Sequence, residues 1–240
     1  MKARLALLFA AIALGAGSPP GIAAAEASAG ELAVVPCEVT RMVRPFFPQW
    51  EKSNGVSHGV ARLVLRIDPS GRLADALVTA YSNRGFADEA LFAVNKWQFR
   101  PSLVGGEPAF STLEVTIEYR VDGLATASLG PSEESNLEAG QYQFHYVPLE
   151  KLDRAPAPVA GAAPAYPREW ADRGIKGRVV MQYYIDETGR VRMPTVVSAD
   201  SPQLGWAAVA AVQGWRFQPP TRKGVPVLAK ADQTFRFGGD

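Results

Sequence analysis

The chain has 240 residues, with 25 basic and 24 acidic side chains and a formal net charge of +1. Without residues 1–25, which contain Lys2 and Arg4, the net charge is near −1. Nucleic-acid binding requires a basic face, and electrostatic docking to a membrane requires a basic cluster, so this balance argues against both. The length corresponds to about two domains.

Residues 1–25 have the features of a secretory signal peptide. Lys2 and Arg4 precede an apolar run from Leu5 to Ala16, and Ala23-Ala24-Ala25 provides a small-residue cleavage site. We therefore predict export with cleavage after Ala25. The alternative is an uncleaved membrane anchor through residues 5–16, which is shorter than the about 20 apolar residues that span a bilayer.

The two halves of the remaining chain repeat one pattern at a constant spacing of 118 residues. The residues that recur without insertion or deletion are Gly59, Asp68, Gly71, Trp97, Phe99, Pro101 and Pro108, matched by Gly177, Asp186, Gly189, Trp215, Phe217, Pro219 and Pro226. This predicts two copies of one small domain. We place copy 1 at residues 31–121, a linker at residues 122–150 and copy 2 at residues 151–240.

Each copy opens with a proline-marked segment that ends in an aromatic residue before proline, Phe47-Pro48 in copy 1 and Tyr166-Pro167 in copy 2. Proline and the residue before it favour extended backbone, so we predict a strap that covers one end of the core. A period-two strand follows, whose inward residues in copy 2 are Val179, Met181, Tyr183 and Ile185.

Hairpin turns and a second strand come next in both copies. Asp68 to Gly71 and Asp186 to Gly189 have the composition of tight turns, and the returning strands run over residues 73–79 and 191–197. A short helix begins in copy 2 at Ser201-Pro202, a good N-cap and first-turn pair. We expect Trp-x-Phe-x-Pro to end each helix, with Trp97 and Trp215 on the apolar face.

A last strand completes each copy, over residues 113–121 and over the equivalent residues that end at Phe237. The predicted class is α+β, with two tandem small ββαβ domains. Each is a three-stranded antiparallel sheet of order 2-1-3 with one helix on one face. The third strand is then a sheet edge. The aromatic–polar alternation of residues 142–147 predicts an extra linker strand, paired with the last strand of copy 1.

The sequence contains no constellation that indicates catalysis. Two histidines in different segments and the single cysteine, Cys37, lack the spacing of a zinc site or a nucleophilic pair. No phosphate-binding loop, dinucleotide fingerprint or Gly-x-Ser-x-Gly motif is present. We therefore predict no enzyme activity, no cofactor, no metal and no small-molecule substrate, and we assign the repeated aromatic residues to the core.

The ordered set of motifs resembles the TonB C-terminal domain family. The pattern is aromatic-Pro, Gly, a strand, Asp-x-x-Gly, a strand, a helix and Trp-x-Phe-x-Pro. The residues that carry it are Phe47, Pro48, Gly59, Gly71, Trp97, Phe99 and Pro101 in copy 1, and Tyr166, Pro167, Gly177, Gly189, Trp215, Phe217 and Pro219 in copy 2. The resemblance covers nearly the whole chain after the signal peptide.

The resemblance implies protein–protein contact in the periplasm. Such domains pair a short segment of an envelope protein, such as a TonB-dependent outer-membrane receptor, with a sheet edge. We predict this edge in copy 2, with Lys230, Asp232, Thr234 and Arg236 on its exposed face. One alternative is a scaffold protein that self-associates through its edges, for example as a homodimer. The other is an inner-membrane-anchored energy transducer with an uncleaved leader.

Overall fold

The computed structural model describes residues 33–130, 142–166, 168–174 and 176–238. The predicted signal peptide and Pro167 lie outside these residues. Copy 1, called repeat 1 below, consists of β1 (Val34–Val35), β2 (Glu38–Arg41), α1 (Gln49–Ser53), β3 (His58–Ile67), β4 (Leu73–Tyr81), α2 (Arg84–Val94), β5 (Gln98–Arg100), β6 (Ser102–Val104), β7 (Glu107–Ala109) and β8 (Ser111–Arg120).

Short strands and a second set of repeat elements follow. The connecting segment contains β9 (Thr126–Leu129), β10 (Phe144–His145), β11 (Val147–Pro148), a 3₁₀ turn (Leu149–Lys151) and β12 (Pro158–Ala160). Copy 2, called repeat 2, consists of α3 (Arg168–Asp172), β13 (Gly177–Ile185), β14 (Val191–Ala199), α4 (Pro202–Gln213), β15 (Arg216–Phe217), β16 (Thr221–Arg222), β17 (Val225–Pro226) and β18 (Ala229–Phe237).

The main sheet of repeat 1 has five strands in the order β10-β4-β3-β8-β9, all antiparallel. Helix α2 packs on one face, where its buried residues meet the inward residues of β3 and β8. This core contains Ala61, Leu63, Leu65, Ile67, Phe86, Ala90, Val94, Trp97, Phe99, Val115, Ile117 and Tyr119. Period-two strands and a 3.6-period helix thus bury their apolar sides against each other.

The main sheet of repeat 2 has four strands in the order β11-β18-β13-β14. Helix α4 covers it over a core of Val179, Met181, Tyr183, Ile185, Leu204, Ala208, Val212, Phe217, Ala231 and Phe237. The mixed α+β class is confirmed. Both sheets exceed the expected three strands, because short strands of the connecting segment pair with their outer strands.

Helix α4 begins where the sequence indicates, but both long helices end earlier than expected. Ser201 is the N-cap of α4, and its hydroxyl accepts a hydrogen bond from the Leu204 N–H at 3.3 Å. The helices end at Val94 and Gln213, before Trp97 and Trp215. The motif therefore begins shortly after the helices have ended, at the third residue beyond α2 and the second beyond α4, and not at the helix ends as expected.

The two tryptophans instead tie the opening segments to the cores. The Trp97 indole N–H donates to the Val43 carbonyl at 2.8 Å, and the Trp215 indole N–H donates to the Ala162 carbonyl at 2.8 Å. Adjacent short strands reinforce the ties, since β2 pairs with β5 and β12 pairs with β15. The straps are also less uniformly extended than expected, because the short helices α1 and α3 follow the aromatic-proline pairs.

Repeated glycines mark places where another group needs the space of a side chain. A Cβ on Gly59 would collide with the Phe86 ring, and one on Gly177 would collide with the Leu204 side chain. Gly71 has φ +80°, and a Cβ there would lie 2.6 Å from the Phe99 carbonyl oxygen. Gly189 repeats this arrangement in repeat 2. Positive φ and close approach together exclude other residues at the two hairpin turns.

The expected linker strand at residues 142–147 forms different pairs from those predicted. Phe144 and His145 pair antiparallel with β4 of repeat 1, and Val147 and Pro148 pair parallel with β18 of repeat 2. The partner of the last strand of repeat 1 is β9 instead. We call residues 144–148 the shared strap, because it joins the two main sheets. Residues 131–141 of the predicted linker lie outside the described residues.

The repeats contact each other through the sheet faces that point away from the helices. Val64, Leu77, Tyr184, Met193 and Leu228 form a separate buried cluster between them. Beside it, the Arg192 guanidinium donates to both carboxylate oxygens of Asp75, at 3.0 and 2.6 Å. The described parts of the two repeats therefore pack as one body.

Truncation of Trp97 to alanine is expected to destabilise the protein by about 3–5 kcal/mol, because it leaves a cavity and frees the Val43 carbonyl. Trp97 is only 5% exposed. The measurement is the free energy of unfolding in denaturant. Trp206→Ala is the matched control, since Trp206 is 58% exposed on α4 and its loss should change stability by at most about 0.5 kcal/mol. Equal losses for the two variants would contradict the assignment.

The ion pair between the repeats is expected to contribute more than a surface pair. A double-mutant cycle of Asp75→Ala and Arg192→Ala should give a coupling energy of about 1 kcal/mol, because the bidentate pair is two-thirds buried. The same cycle on Arg84 and Asp88, which are 72% and 57% exposed, should give about 0.3–0.5 kcal/mol. A smaller coupling for the first pair would contradict the described interface.

Candidate functional site

The last strand of repeat 2, β18, has one long unpaired side. Its other side pairs with β13 along all nine residues, from Gly177 opposite Phe237 to Ile185 opposite Ala229, without a register shift. On the outer side, β11 pairs only with Ala229 and Lys230. No other described strand pairs with residues 231–237. We call residues 231–237 the open edge.

The equivalent strand of repeat 1 is covered by its own chain. Strand β9 pairs with residues 115–118 of β8, and the Gly130 N–H donates to the Glu114 carbonyl at 2.9 Å. Val115 and Ile117 are 1% and 0% exposed. Their counterparts 118 residues later, Gln233 and Phe235, are exposed and half-buried. In the described part of repeat 2, no strand equivalent to β9 lies beside these two residues.

The covered edge also indicates which backbone groups of β18 point outward. In an antiparallel strand the N–H and C=O of one residue point to the same side. Because the Glu114 carbonyl faces β9, the backbone groups of residues 114, 116 and 118 belong to that side. By the repeat spacing, the outward groups of the open edge are those of Asp232, Thr234 and Arg236.

The four edge residues named from the sequence fall into two environments. Lys230 is half-buried, and its ammonium lies 5.2 Å from the centroid of the Tyr146 ring and 6.0 Å from that of Tyr184. Its backbone is paired with Pro148, so it lies beside the shared strap rather than on the open edge. Asp232, Thr234 and Arg236 are exposed, and the Asp232 carboxylate accepts a hydrogen bond from the Gln182 amide at 3.0 Å.

Other strands with an unpaired side are poorer templates. Both β4 and β14 are irregular, with register shifts where they pair with their neighbours. Strand β14 also contains Pro194, which has no N–H, and Met193, which has a positive φ of 50°. Strand β9 has four residues. Flat, regular edges recruit other strands most readily, so β18 is the best candidate of the described strands.

An open cleft lies between the outer faces of the two sheets. It has a volume of about 340 Å³ and contains Arg62, Glu114, Gln182, Tyr184 and Lys230. Burial, followed by the nearby Glu114 carboxylate, raises the pKa of Tyr184, which keeps the phenol protonated at neutral pH. Among the described residues, no group of three His, Cys, Asp or Glu side chains could hold a metal ion.

The family-motif residues lie in or next to the cores rather than at the open edge. Trp97, Phe99 and Phe217 are buried, while Phe47, Tyr166 and Trp215 are half-buried and pack against the cores. The Phe47 ring meets the Phe86 ring at 5.2 Å, and the Tyr166 ring meets the Phe237 ring at 5.9 Å. Pro48 is buried, Pro101 is half-buried and Pro219 is exposed. In this arrangement the motif stabilises the sheet that presents the edge.

Strand β9, which covers the edge of repeat 1, is not predicted from the sequence. Its residues fall within residues 122–150, which the repeat pattern assigns to a linker. A weak signal exists, because Ala125, Ala127 and Leu129 alternate with Thr126 and Ser128. Period-two alternation with such small residues is easily overlooked.

Within the described ranges, none of the helices is both long and apolar enough to cross a membrane. The proposed anchor at residues 5–16 lies outside these ranges.

Comparison with known proteins identifies the relatives of both repeats. The profile of the family described as "Gram-negative bacterial TonB protein C-terminal" matches residues 43–121 and 162–238. A protein named "Protein TonB" from Vibrio cholerae serotype O1 is 30% identical over 87 residues, which are 36% of this chain and 36% of that protein. The chain thus spans about a third of that relative's length.

A solved structure is also similar to part of the chain. The solution NMR structure of the Pseudomonas aeruginosa TonB CTD is 31% identical and covers 39% of this chain and 93% of that one. Its TM-score is 0.32, which is too low to compare the arrangement of elements. The profile match is the decisive finding, because it includes both repeats and more than half of the residues. The chain belongs to the TonB C-terminal family.

Proposed function

We propose that repeat 2 binds an extended segment of an envelope protein, such as a TonB-dependent outer-membrane receptor, as an added strand along the open edge. The observation that carries this proposal is the regular, unpaired side of β18 over residues 231–237. Backbone hydrogen bonds would provide affinity, and the side chains that alternate along the edge would provide selectivity.

Family membership supports the general part of the proposal. The family consists of non-enzymatic energy transducers and interaction modules, so the chain is not an enzyme. Its members act in protein contacts of the bacterial envelope. The finer statement, strand addition at β18 with a role in energy-coupled transport across the membrane, is our proposal.

The dimensions of the open edge suit a short segment. Seven residues at about 3.3 Å each give an edge of about 23 Å. The outward N–H and C=O groups of Asp232, Thr234 and Arg236 offer up to six hydrogen bonds, each contributing about 0.5–1.5 kcal/mol. Phe235, which is half-buried, would lose its remaining exposure under the added strand. Asp232 and Arg236, which lie two residues before and after Thr234, carry charges that reduce indiscriminate pairing with other chains.

The two repeats would then have different tasks. Strand β9 occupies the edge of repeat 1, so repeat 1 presents no equivalent seven-residue edge. The Asp75–Arg192 pair and the apolar cluster around Tyr184 and Met193 fix repeat 1 against repeat 2. Repeat 1 would therefore act as a rigid support for the binding repeat.

We further propose that the protein works in the periplasm after cleavage of the signal peptide behind Ala25. The alternative, a transducer anchored through residues 5–16, would need an extended spacer after its anchor. The Pro/Ala-rich segment of residues 155–165 does not serve as such a spacer, because it lies between the repeats and is bound there. Pro158–Ala160 pairs with β15, and the Ala162 carbonyl accepts from the Trp215 indole N–H. N-terminal sequencing of the exported protein distinguishes the two, since a chain that begins at Glu26 excludes the anchor.

The scaffold alternative has less support. In the described residues, the apolar contact between the repeats is made by sheet faces. Self-association would have to pair β18 of one chain with β18 of another. Light scattering tests this directly, because a stable dimer that dissociates on substitution of Thr234 would favour the scaffold.

The variant Thr234→Pro should weaken partner binding without unfolding repeat 2. It removes one outward N–H from the centre of the open edge, and its ring obstructs the added strand, so we expect affinity to fall by about tenfold or more. The measurement is isothermal titration with peptides from the periplasmic segments of outer-membrane receptors.

Glu187→Pro is the matched control for the proline itself. Glu187 is exposed in the hairpin of repeat 2, and the equivalent residue of repeat 1 is Pro69. Proline suits the second position of such a turn, so this variant should fold and bind as the unchanged protein does. Equal affinity of the Thr234→Pro and Glu187→Pro variants would reject strand addition at β18.

A further inference from the structure

The opening segment of repeat 1 exposes large apolar side chains that its core does not use. Burial alternates along residues 42–47, where Met42, Arg44 and Phe46 are exposed and the other three residues are buried or half-buried. Trp50, in the short helix α1, is exposed as well. Phe46 and Trp50 are both 76% exposed, and neither ring is among the residues that pack against the core. The folding of repeat 1 therefore does not explain these two aromatic residues.

The same segment carries exposed basic side chains. Arg44 and Lys52 are exposed, and within the part of the chain that the structure describes neither forms an ion pair. Glu51 is the one acidic residue among residues 41–52, and it is only 7% exposed. Its side chain points at α2, where a Cβ on Gly85 would lie 2.9 Å from a Glu51 carboxylate oxygen. The exposed side of the segment is therefore positively charged.

These aromatic and basic side chains lie close together on the surface. Phe46 and Trp50 are four residues apart, so their Cα atoms are separated by at most about 14 Å. Arg44 precedes Phe46 by two residues, and Lys52 follows Trp50 by two. We call Met42, Arg44, Phe46, Trp50 and Lys52 the aromatic–basic patch. A single exposed apolar residue is ordinary on a protein surface, whereas a group of them indicates an interaction site.

The corresponding segment of repeat 2 lacks this patch. When the repeats are aligned on their aromatic–proline pairs, the position of Trp50 is taken by Glu169. The next position, Glu51 in repeat 1, is Trp170 in repeat 2. Trp170 is half-buried and packs against the core of repeat 2. The short helix can thus hold an inward tryptophan, but in repeat 1 the tryptophan stands one position earlier and faces solvent. Since the shared fold does not require the patch, a binding role accounts for it.

Exposed aromatic and basic side chains together are suited to a phospholipid surface. Tryptophan rings favour the interface between membrane and water, and peripheral proteins combine such rings with basic residues where they bind membranes. The attraction between basic side chains and anionic lipids is effective only within about 8 Å at physiological ionic strength. The near-neutral net charge of the chain argues against docking by overall charge, but over so short a range the local charge of the patch decides.

We propose that the aromatic–basic patch binds the surface of an anionic phospholipid membrane. The Phe46 and Trp50 rings enter the headgroup region, and Arg44 and Lys52 lie beside the anionic headgroups. This contact is separate from the open edge and does not depend on the function proposed for it. An exported chain that has lost residues 1–25 would thereby retain a contact with a membrane.

Vesicle flotation tests the proposal with the chain that begins at Glu26, because the apolar run at residues 5–16 would bind membranes by itself. The removed residues lie outside the described body of the protein. The vesicles contain phosphatidylethanolamine with phosphatidylglycerol or, as the neutral control, with phosphatidylcholine. Binding to the anionic vesicles is expected to be about tenfold tighter or more, and to weaken when salt is raised from about 50 to about 500 mM.

A first pair of variants tests the aromatic rings. Phe46→Ser combined with Trp50→Ser should weaken binding to anionic vesicles about tenfold or more, because two rings no longer enter the interface. The matched control is Phe92→Ser combined with Trp206→Ser, which removes two rings that are 57% and 58% exposed on the long helices. This control should bind as the unchanged protein does.

A second pair of variants tests the charges. Arg44→Glu combined with Lys52→Glu should weaken binding to anionic vesicles about tenfold and leave binding to neutral vesicles unchanged. The matched control is Arg173→Glu combined with Lys176→Glu, which reverses two exposed basic residues beside α3 of repeat 2 and changes the net charge equally. The control should weaken binding by at most about twofold, since its charges lie outside the patch.

Fluorescence quenching by brominated phospholipids locates the contact, because bromine in the bilayer quenches tryptophans that enter it. Quenching should persist in the Trp206→Phe variant and be largely lost in the Trp50→Phe variant. Both tryptophans are exposed, so neither substitution is expected to unfold the protein.

Failure to bind either vesicle, equal binding to both, or equal losses in the patch variants and their controls overturns the proposal. Quenching that persists in the Trp50→Phe variant overturns it as well. The Thr234→Pro variant should bind vesicles normally, and a loss there would assign the membrane contact to the open edge and reject the patch. If vesicle binding fails but receptor segments still bind in a Thr234-dependent manner, only the membrane proposal is rejected.

Discussion

The organisation of this protein depends on the backbone hydrogen bonds at the edges of its two main sheets. A ββαβ unit whose third strand is outermost leaves a row of N–H and C=O groups without partners, and such a row attracts other strands. In repeat 1, β9 satisfies those of residues 114–118. In the described part of repeat 2, only Ala229 and Lys230 are covered, by β11. The same sequence duplication has therefore produced one closed edge and one open edge.

The connecting segment accounts for this difference and for the union of the repeats. It supplies β9 to repeat 1 and then the shared strap, whose residues Phe144 and Val147 belong to different sheets. Val147 is buried, and the apolar cluster around Tyr184 and Leu228 lies beside the strap. A segment whose composition is typical of a flexible linker is thus largely bound wherever it is described.

The repeated core was predictable because its signals are local and strong. A few neighbouring residues are enough to predict the period-two strands, the Asp-x-x-Gly turns and the Ser201 cap. The strand and turn patterns also occur at equivalent positions of both repeats, so each copy supports the prediction for the other. The sequence could indicate which strand carries the open edge but not the residue at which the edge begins, because that residue is set by pairing with the two-residue strand β11. Strands as short as β10 and β11 have no period to detect and exist only through contacts that are distant in sequence. The same reason explains why the displacement of Trp97 and Trp215 beyond the helix ends was missed, since each indole is held by a carbonyl more than 50 residues away.

The shared strap also determines where the protein can be divided. A fragment that begins at residue 151 would lack Phe144 to Pro148 and would expose the N-terminal part of β18. Even a longer fragment that retains the strap would present Tyr184, Met193 and Leu228 to water, since repeat 1 normally buries them. Exposed apolar surface of this kind promotes aggregation, so we do not expect the second repeat to be soluble as an independent domain. The two repeats are still recognisable as copies in the sequence, but their folded forms now depend on each other to bury apolar surface.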